Sequence, residues 1–316
     1  MPTDSDADSA IEIRRATPDD YEAVAGFTSE IWADRGGDYI PRVYHEWLEN
    51  EREQGKKTFL AAVDDEAVGI VQAVMLSPDE AWFQGMRVAA DYRQQGVSRR
   101  LNEAAVAWAR EQGATVGRIM IFSWNAVSLG AARASGFAPI TEFRFAHPDP
   151  DPDADGPHRV SNDPTAAWRY WTHSDAREHL SGLGFAPEES WAVRELTRDD
   201  FEQLADEMAV FAVESDAGLA GMAYRSRTYD RELESEDGQT RTETWAEYGL
   251  AAWDEVDACR SLFAAIARDG ADCGADKTRV VIPETVRFVT DVPLVGTDIA
   301  DEPDFVLGID LTATPT

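Results

Sequence analysis

The 316-residue chain has two cysteines and three lysines, and no apolar run approaches the ~18 residues that a membrane helix requires. Cys259 and Cys273 are too few for a disulfide framework and badly spaced for a zinc site, so they read as plain core residues and no metal is expected. Positive charge is scarce: 29 Lys and Arg stand against 60 Asp and Glu, a net charge of −31, and Lys56, Lys57 and Lys277 are the only lysines. Without a basic stripe to displace counterions from phosphate, neither nucleic acid nor an anionic membrane is an expected partner. The acidic start MPTDSDADSA is the opposite of a signal peptide, which points to the cytoplasm.

What is there is ordinary for a folded protein: 43% hydrophobic and 10% aromatic residues. The acids are spread along the whole chain, the pattern expected of a halophilic, haloarchaeal cytosolic protein whose carboxylates keep it hydrated in salt. The length exceeds one core and fits two domains of roughly 150 residues.

A repeat divides the chain. IRRATPDDYEAV, Ile13 to Val24, returns as VRELTRDDFEQL, Val193 to Leu204, with Thr17 and Thr197 as N-caps before acidic first turns. FLAAVDDEAVGIV, from Phe59, resembles FAVESDAGLAGMA, from Phe211, and EAWFQGMRVAAD, from Glu80, parallels ETWAEYGLAAWD, from Glu243. Each half reads strand, helix, three strands, helix, strand: an α/β (α+β) domain on a mixed sheet. The expected boundaries are 1–146 for the first domain, 147–189 for an exposed linker (HPDPDPDADGPH) and a bridging segment (Asn162 to Glu189), and 190–316 for the second domain.

In the first half a strand from Trp82 to Ala89 runs into DYRQQGVSRRL and an amphipathic helix from Leu101 to Glu111, with Leu101, Ala105 and Trp108 on its inner face. A tight glycine turn opening a helix aims backbone N–H groups at one point, where the helix dipole favours an anion. Gly96 admits a phosphate, Ser98 leaves it room, and Arg93, Arg99 and Arg100 add charge.

The segment Arg93, Gln94, Gln95, Gly96, Val97, Ser98 resembles the (Arg/Gln)xxGx(Gly/Ala) loop of the GNAT N-acetyltransferases, with Ser at the last position. WNAVSLGAARASGF is similar to that family's following block, and the resemblance spans about Ile11 to Phe145. It implies two tandem GNAT-like domains, acetyl-CoA as co-substrate, cofactor contacts along 93–99 and at Asn125, and a backbone N–H at Met86 or Val88 that polarises the thioester. The strand GMRV would splay from its neighbour to admit the pantetheine arm.

The family's usual base, a Glu four residues before the strand valine, is Gln84 here, and its usual acid, a Tyr, is Ala132. An amide can hold a water but cannot take a proton. Ser128, Glu80, Tyr39 and His45 are the substitutes. The plainer roles are the stronger readings: a helix-face hydroxyl, a solvated turn acid and two packing residues.

In the second half, alignment through Glu80 and Glu243 puts Val256 at Arg93, Cys259 at Gly96 and Glu247 opposite Gln84, so the loop DEVDACRS should bind no acetyl-CoA and this domain is read as degenerate. GGDYIPRVYHEWL, from Gly36, falls where GNAT enzymes place the helices that cover the acceptor, and by that resemblance Tyr39 and His45 would line its pocket. Together with QGMRVAADYRQQGVS, from Gln84, this segment resembles the histidine N-acetyltransferase group, which implies a small primary amine such as a free amino acid. Two alternatives stay open: acetylation of a protein lysine or N-terminus, and an inactive acetyl-CoA-binding sensor.

Overall fold

The computed structural model describes residues 11–29, 31, 37–49, 51, 55–234 and 240–313, the side chains of 233 and 234 excepted. The acidic start, residues 1–10, and Gly36 lie outside them. The chain forms two compact units, one of residues 1–120, 125–139 and 307–316, the other of 121–124 and 140–306.

The first unit runs β1 (Glu12–Arg15), α1 (Tyr21–Thr28), α2 (Ile40–Leu48), β2 (Lys56–Val63), β3 (Glu66–Met75), β4 (Glu80–Val88), α3 (Val97–Gln112), β5 (Val116–Phe122) and α4 (Ala126–Ala134). β1 to β4 pair antiparallel in sequence order, and β5 joins β4 in parallel, so the sheet is mixed. β2 and β3 are buried along nearly their whole length, as strands covered on both faces must be. On one face Val24, Ile40, Tyr44, Trp47, Leu60 and Ile70 form a core under α1 and α2. On the other, a Cβ at Gly69 would come within 3.0 Å of Val97 and Leu101 of α3. Leu101 and Ala105 are buried as their spacing predicts, while Trp108 is half-buried and the helix starts four residues earlier than its apolar pattern suggests.

The second unit contains most of β6 (Ala138–His147), β7 (Arg159–Ser161), α5 (Pro164–His173), α6 (Asp175–His179), β8 (Leu183–Phe185), β9 (Val193–Glu195), α7 (Arg198–Glu207), β10 (Ala209–Ser215), β11 (Gly218–Glu234), β12 (Thr240–Trp253), α8 (Val256–Asp272), β13 (Lys277–Pro283), α9 (Val286–Leu294), β14 (Asp298–Ile299) and the start of β15 (Asp304–Asp310), whose remainder belongs to the first. Its sheet order is β6-β13-β12-β11-β10-β7, again mixed, with β12 and β13 parallel.

These units differ from the sequence boundaries, beginning with residues 121–124, which belong to the second unit. Residues 140–146, expected in the first domain, lie in the second unit, where β6 pairs antiparallel with β13. Residues 307–316 lie in the first, where Leu311 N–H donates to the Thr115 carbonyl at 2.8 Å and Arg110 Nε to the Leu311 carbonyl at 2.8 Å. The chain thus gives each unit a strand from the other half of the sequence. Asn162 to Glu189 is not a bridge but part of the second unit, with α5 packed on α7, β10 and β11.

Nor is HPDPDPDADGPH merely exposed. Its acids face outward, but Pro148 is buried, its carbonyl accepts from Thr278, and Asp151 N–H donates to the Ala267 carbonyl at 3.0 Å. The Ala154 carbonyl accepts from Arg268, and His158 N–H donates to Ser261 Oγ at 2.9 Å. The segment is a strap along α8.

One device occurs in both units. Asp20 accepts from Thr17 N–H at 2.8 Å and from Arg14 at 2.5 and 2.8 Å; Asp200 accepts from Thr197 N–H at 2.6 Å and from Arg194 at 2.7 and 2.8 Å. The capping pattern legible in the sequence is also an ion pair to the preceding strand. Among the described residues, no helix is long and apolar enough to cross a membrane.

Candidate active site

The candidate site of the first unit lies along the second half of β4. Its ladder with β5 runs from Glu80–Val116 to Trp82–Arg118, and among the described residues no ladder pair joins Phe83–Val88 to β5. On the other side the register with β3 slips between Ile70 and Gln72, so that β4 carries an extra residue at Gly85 and Met86, with Gly85 at φ +66°. A Cβ at Gly85 would overlap the Trp47 ring, so glycine serves both the turn and the close approach of α2.

Beyond this bulge Gly69 stands opposite Val88, and Ala89 N–H donates to the Val68 carbonyl at 2.8 Å. Bonded and non-bonded pairs alternate in an antiparallel ladder, so Val88 turns its N–H and C=O away from β3, toward the side that β5 has left. The Val88 carbonyl accepts from Arg93 Nε at 3.3 Å, and that of Met86 from Arg87 Nη1 at 3.0 Å.

Eight residues later the chain enters α3. Gln94 (φ +62°) and Gly96 (φ +83°) adopt left-handed conformations, and Gly96 caps the helix. Added bulk at Gly96 would meet nothing within 4 Å, so its conformation, not the space, calls for glycine. The first intrahelical bond runs from Arg100 N–H to the Gly96 carbonyl at 3.1 Å, which leaves the N–H groups of Val97, Ser98 and Arg99 at the open end of the helix. No acid occupies the first turn. Gln95 Nε2 donates to the Asp91 carbonyl at 2.7 Å and stiffens the loop, while Arg99 pairs loosely with Glu103 at 3.7 Å. The residues present therefore fit a pyrophosphate.

The acid and base candidates separate. Gln84 accepts from Trp82 Nε1 at 3.2 Å and donates to Gln72 at 2.8 Å, and Gln72 donates in turn to Thr58 Oγ1 at 3.0 Å and the Trp47 carbonyl at 3.2 Å. This row of neutral groups fixes the amide. Glu80 is not a solvated turn acid: it is buried in an ion pair with Arg118. Ser128 lies in the first turn of α4, where its N–H donates to Asn125 Oδ1 at 3.1 Å, so Asn125 caps that helix. His45 is exposed and stacked on Tyr21 at 4.7 Å. Tyr39, by contrast, meets β4, lying beside Trp47 at 6.1 Å and under the Arg87 guanidinium at 5.5 Å.

Sequence reasoning missed the groups that fasten α2 to β4. Asp38 accepts from Ile40 N–H at 2.9 Å, at the start of α2, and pairs with Arg87 in a buried ion pair. The signal was present in the glycine of QGMRV, since an interior strand glycine marks close approach.

In the second unit the corresponding junction is shortened. β12 ends at Trp253 and α8 begins at Val256, with Glu255 as N-cap, so Cys259 sits inside the helix, fully buried, and not at a glycine loop. Burial raises its thiol pKa far above the ordinary value. The alignment that put Val256 at Arg93 fails because the loop is deleted, not substituted. Glu247 is also reassigned. It stands opposite Arg279 in the β12–β13 ladder, as Trp82 stands opposite Arg118, and is wholly buried between Arg279 Nε at 2.7 Å and Arg227 Nε at 2.9 Å. The carboxylate serves as the ion-pair link between Arg227 of β11 and Arg279 of β13.

Residues 21–137 match the acetyltransferase (GNAT) family. The chain shares its fold with a GCN5-related N-acetyltransferase from Sphaerobacter thermophilus, at 12% identity and TM-score 0.60, covering 97% of each chain. It also resembles a protein described as an acetyltransferase from Thermoplasma acidophilum, at 14% identity and TM-score 0.55, covering 95% of this chain and 100% of that one. No curated protein matches the chain in sequence. The segment holding the bulged strand and the glycine loop thus matches the acetyltransferase (GNAT) family, and the chain as a whole has the fold of such acetyltransferases.

Proposed function

We propose that the first unit transfers the acetyl group of acetyl-CoA to a primary amine, by direct attack in a ternary complex. The observation that carries this reading is one junction: a strand half that has no ladder pair with β5 among the described residues, with the Val88 N–H turned to that side, followed after eight residues by a helix N-terminus opened by Gly96. Acetyl-CoA supplies the thioester. The loop 93–98 holds its phosphates by backbone N–H groups, with Arg99 adding charge. The Val88 N–H donates to the carbonyl oxygen as negative charge develops there. The amine nitrogen bonds to the acetyl carbon, the C–S bond breaks, and the amine's proton passes to the thiolate through water.

Gln84, spent in its amide row, takes no proton, so the acceleration rests on proximity and the oxyanion donor. A small amine, such as a free amino acid, is the acceptor we favour, from the similarity of 36–48 to the histidine N-acetyltransferase group. Tyr39 would lie against it. The same Gln84 network, with Ala132 where an acid would stand, favours a second reading, an inactive acetyl-CoA-binding protein.

Thiol release from acetyl-CoA in concentrated salt, across amino acids, polyamines and peptides, separates the two. Turnover with a small amine is expected. Tight cofactor binding with no turnover on any amine would leave the binding protein, and turnover on peptides alone would move the acceptor to a protein.

A further inference from the structure

Asp304, the first residue of β15, is 7% exposed, yet among the described residues no hydrogen-bond donor or cation reaches its carboxyl. Glu247, Asp200 and Asp291, also buried in the second unit, are held by Arg227 and Arg279, by Arg194, and by Trp253 Nε1 at 2.9 Å. Burial pushes the Asp304 carboxyl up to about 7, against the pull of Arg279, whose own carboxylate partner is Glu247. A buried carboxylate without a partner costs stability whenever it is ionised.

Its neighbours are aromatic. Ser123 N–H donates to the Pro303 carbonyl and Leu311 N–H to that of Thr115, while a Cβ at Gly117 would meet Ile309. All three fit one antiparallel register of β5 and β15, which sets Asp304 opposite Phe122 with both side chains on the same face. Phe122 stacks on Trp124 at 5.3 Å and meets Trp191 edge-on at 6.2 Å. The Arg279 guanidinium lies over Trp191 at 4.1 Å, so this wall of rings already carries one cation. Residues 121–124, 191, 279 and 304 all belong to the second unit. A carboxylate beside π faces suits an ammonium group, whose N–H bonds go to the oxygens and whose carbon substituents lie on the rings.

We propose that Asp304, beside the stacked rings of Phe122 and Trp124, binds the ammonium group of a small organic amine. The site needs neither acetyl-CoA nor group transfer, so its test is binding alone.

Ethylammonium chloride, which keeps its charge across the neutral range, is the probe, titrated calorimetrically into the full chain in concentrated potassium chloride. Above pH 7 the native protein is expected to bind it, and Asp304→Asn about tenfold more weakly, the loss of one charge-assisted hydrogen bond. In the native protein binding should weaken as pH falls below about 7 and the carboxyl takes a proton, whereas Asp304→Asn should show no such dependence. The same variant should melt higher than the native protein above pH 7, because it removes a carboxyl that folding makes harder to ionise, and this gain should fade toward the ordinary carboxylate range. No binding by the native protein, or equal binding by both, overturns the proposal. A lower Tm in Asp304→Asn above pH 7 would make Asp304 the counter-charge of Arg279 and overturn it as well.

Discussion

In the first unit β4 hands over to α3 through residues 89–96; in the second, Asp254 and Glu255 alone separate β12 from α8. The helices differ as their entrances do. α3 buries five of 16 residues, a single stripe, and leaves its first turn open, whereas α8 buries ten of 17, with α9, β7 and the strap 148–158 packed on it besides the sheet. The strap also reaches its entrance, where His158 Nε2 lies 3.2 Å from the Glu255 cap and Gly156 presses on the Ser261 backbone. An open, acid-free helix end can attract an anion; one that begins with Glu255 and Asp257 repels it. The proposed cofactor site thus rests on an eight-residue junction, and the second unit keeps a strand and helix with only two residues between them.

The largest effect expected from this contrast is on binding. Gly96→Asp puts a side chain at φ +83° and a negative charge at the anion site, which together should weaken acetyl-CoA binding about 100-fold, since each ~1.4 kcal/mol is tenfold. Glu255→Gln, at the equivalent cap, should leave it unchanged. Calorimetric titration checks both, and equal affinity in Gly96→Asp and the native protein would put the site elsewhere.

How much of this was legible follows from how local each feature is. RQQGVS could be read because its left-handed positions and the helix start lie within six residues. The capping devices at Thr17 and Thr197 were equally local. The deletion in the second unit was not, because matching Glu80 with Glu243 carries a fixed spacing past the strand, while the ladders set Arg118 and Arg279 level and show where the spacing breaks. Proline and aspartate in 148–158 read as loop, yet the backbone carbonyls of such a segment can bind Thr278 and Arg268. The strand exchange rests on contacts across about two hundred residues, as between Arg110 and Leu311, and no local pattern records it.

That exchange gives the next effect in size. Leu311, buried in the first unit, and Ile309, 3.2 Å from where a Cβ at Gly117 would lie, are supplied from the end of the sequence. Leu311→Ala should destabilise by about 3 kcal/mol, as for other large-to-small core changes. Hydrogen exchange should show the loss in α3 and β5 more than in α8. Equal loosening of both helices would mean that the two units open as one.

The smallest effect compares the shared device. The Arg14 hydrogen bond holds the Asp20 carboxyl down at about 2, against burial. Burial pushes Asp200 up, but the Arg194 and Thr197 bonds outweigh it and its pKa is lowered too. A carboxyl lowered in the folded state stabilises above its ordinary pKa and loses that contribution as pH falls, here between about 4 and 2 for Asp20. Arg14 is a third exposed and Arg194 nearly buried, so water screens the first pair and not the second. At pH 7, Asp20→Asn should cost under about 1 kcal/mol, and Asp200→Asn about 1–2, because it leaves a buried guanidinium with the half-exposed Glu188 as its remaining acid. Chemical denaturation at pH 7 and pH 3 reads both. A larger loss from Asp20→Asn than from Asp200→Asn would show that burial of the arginine does not set the strength of this pair.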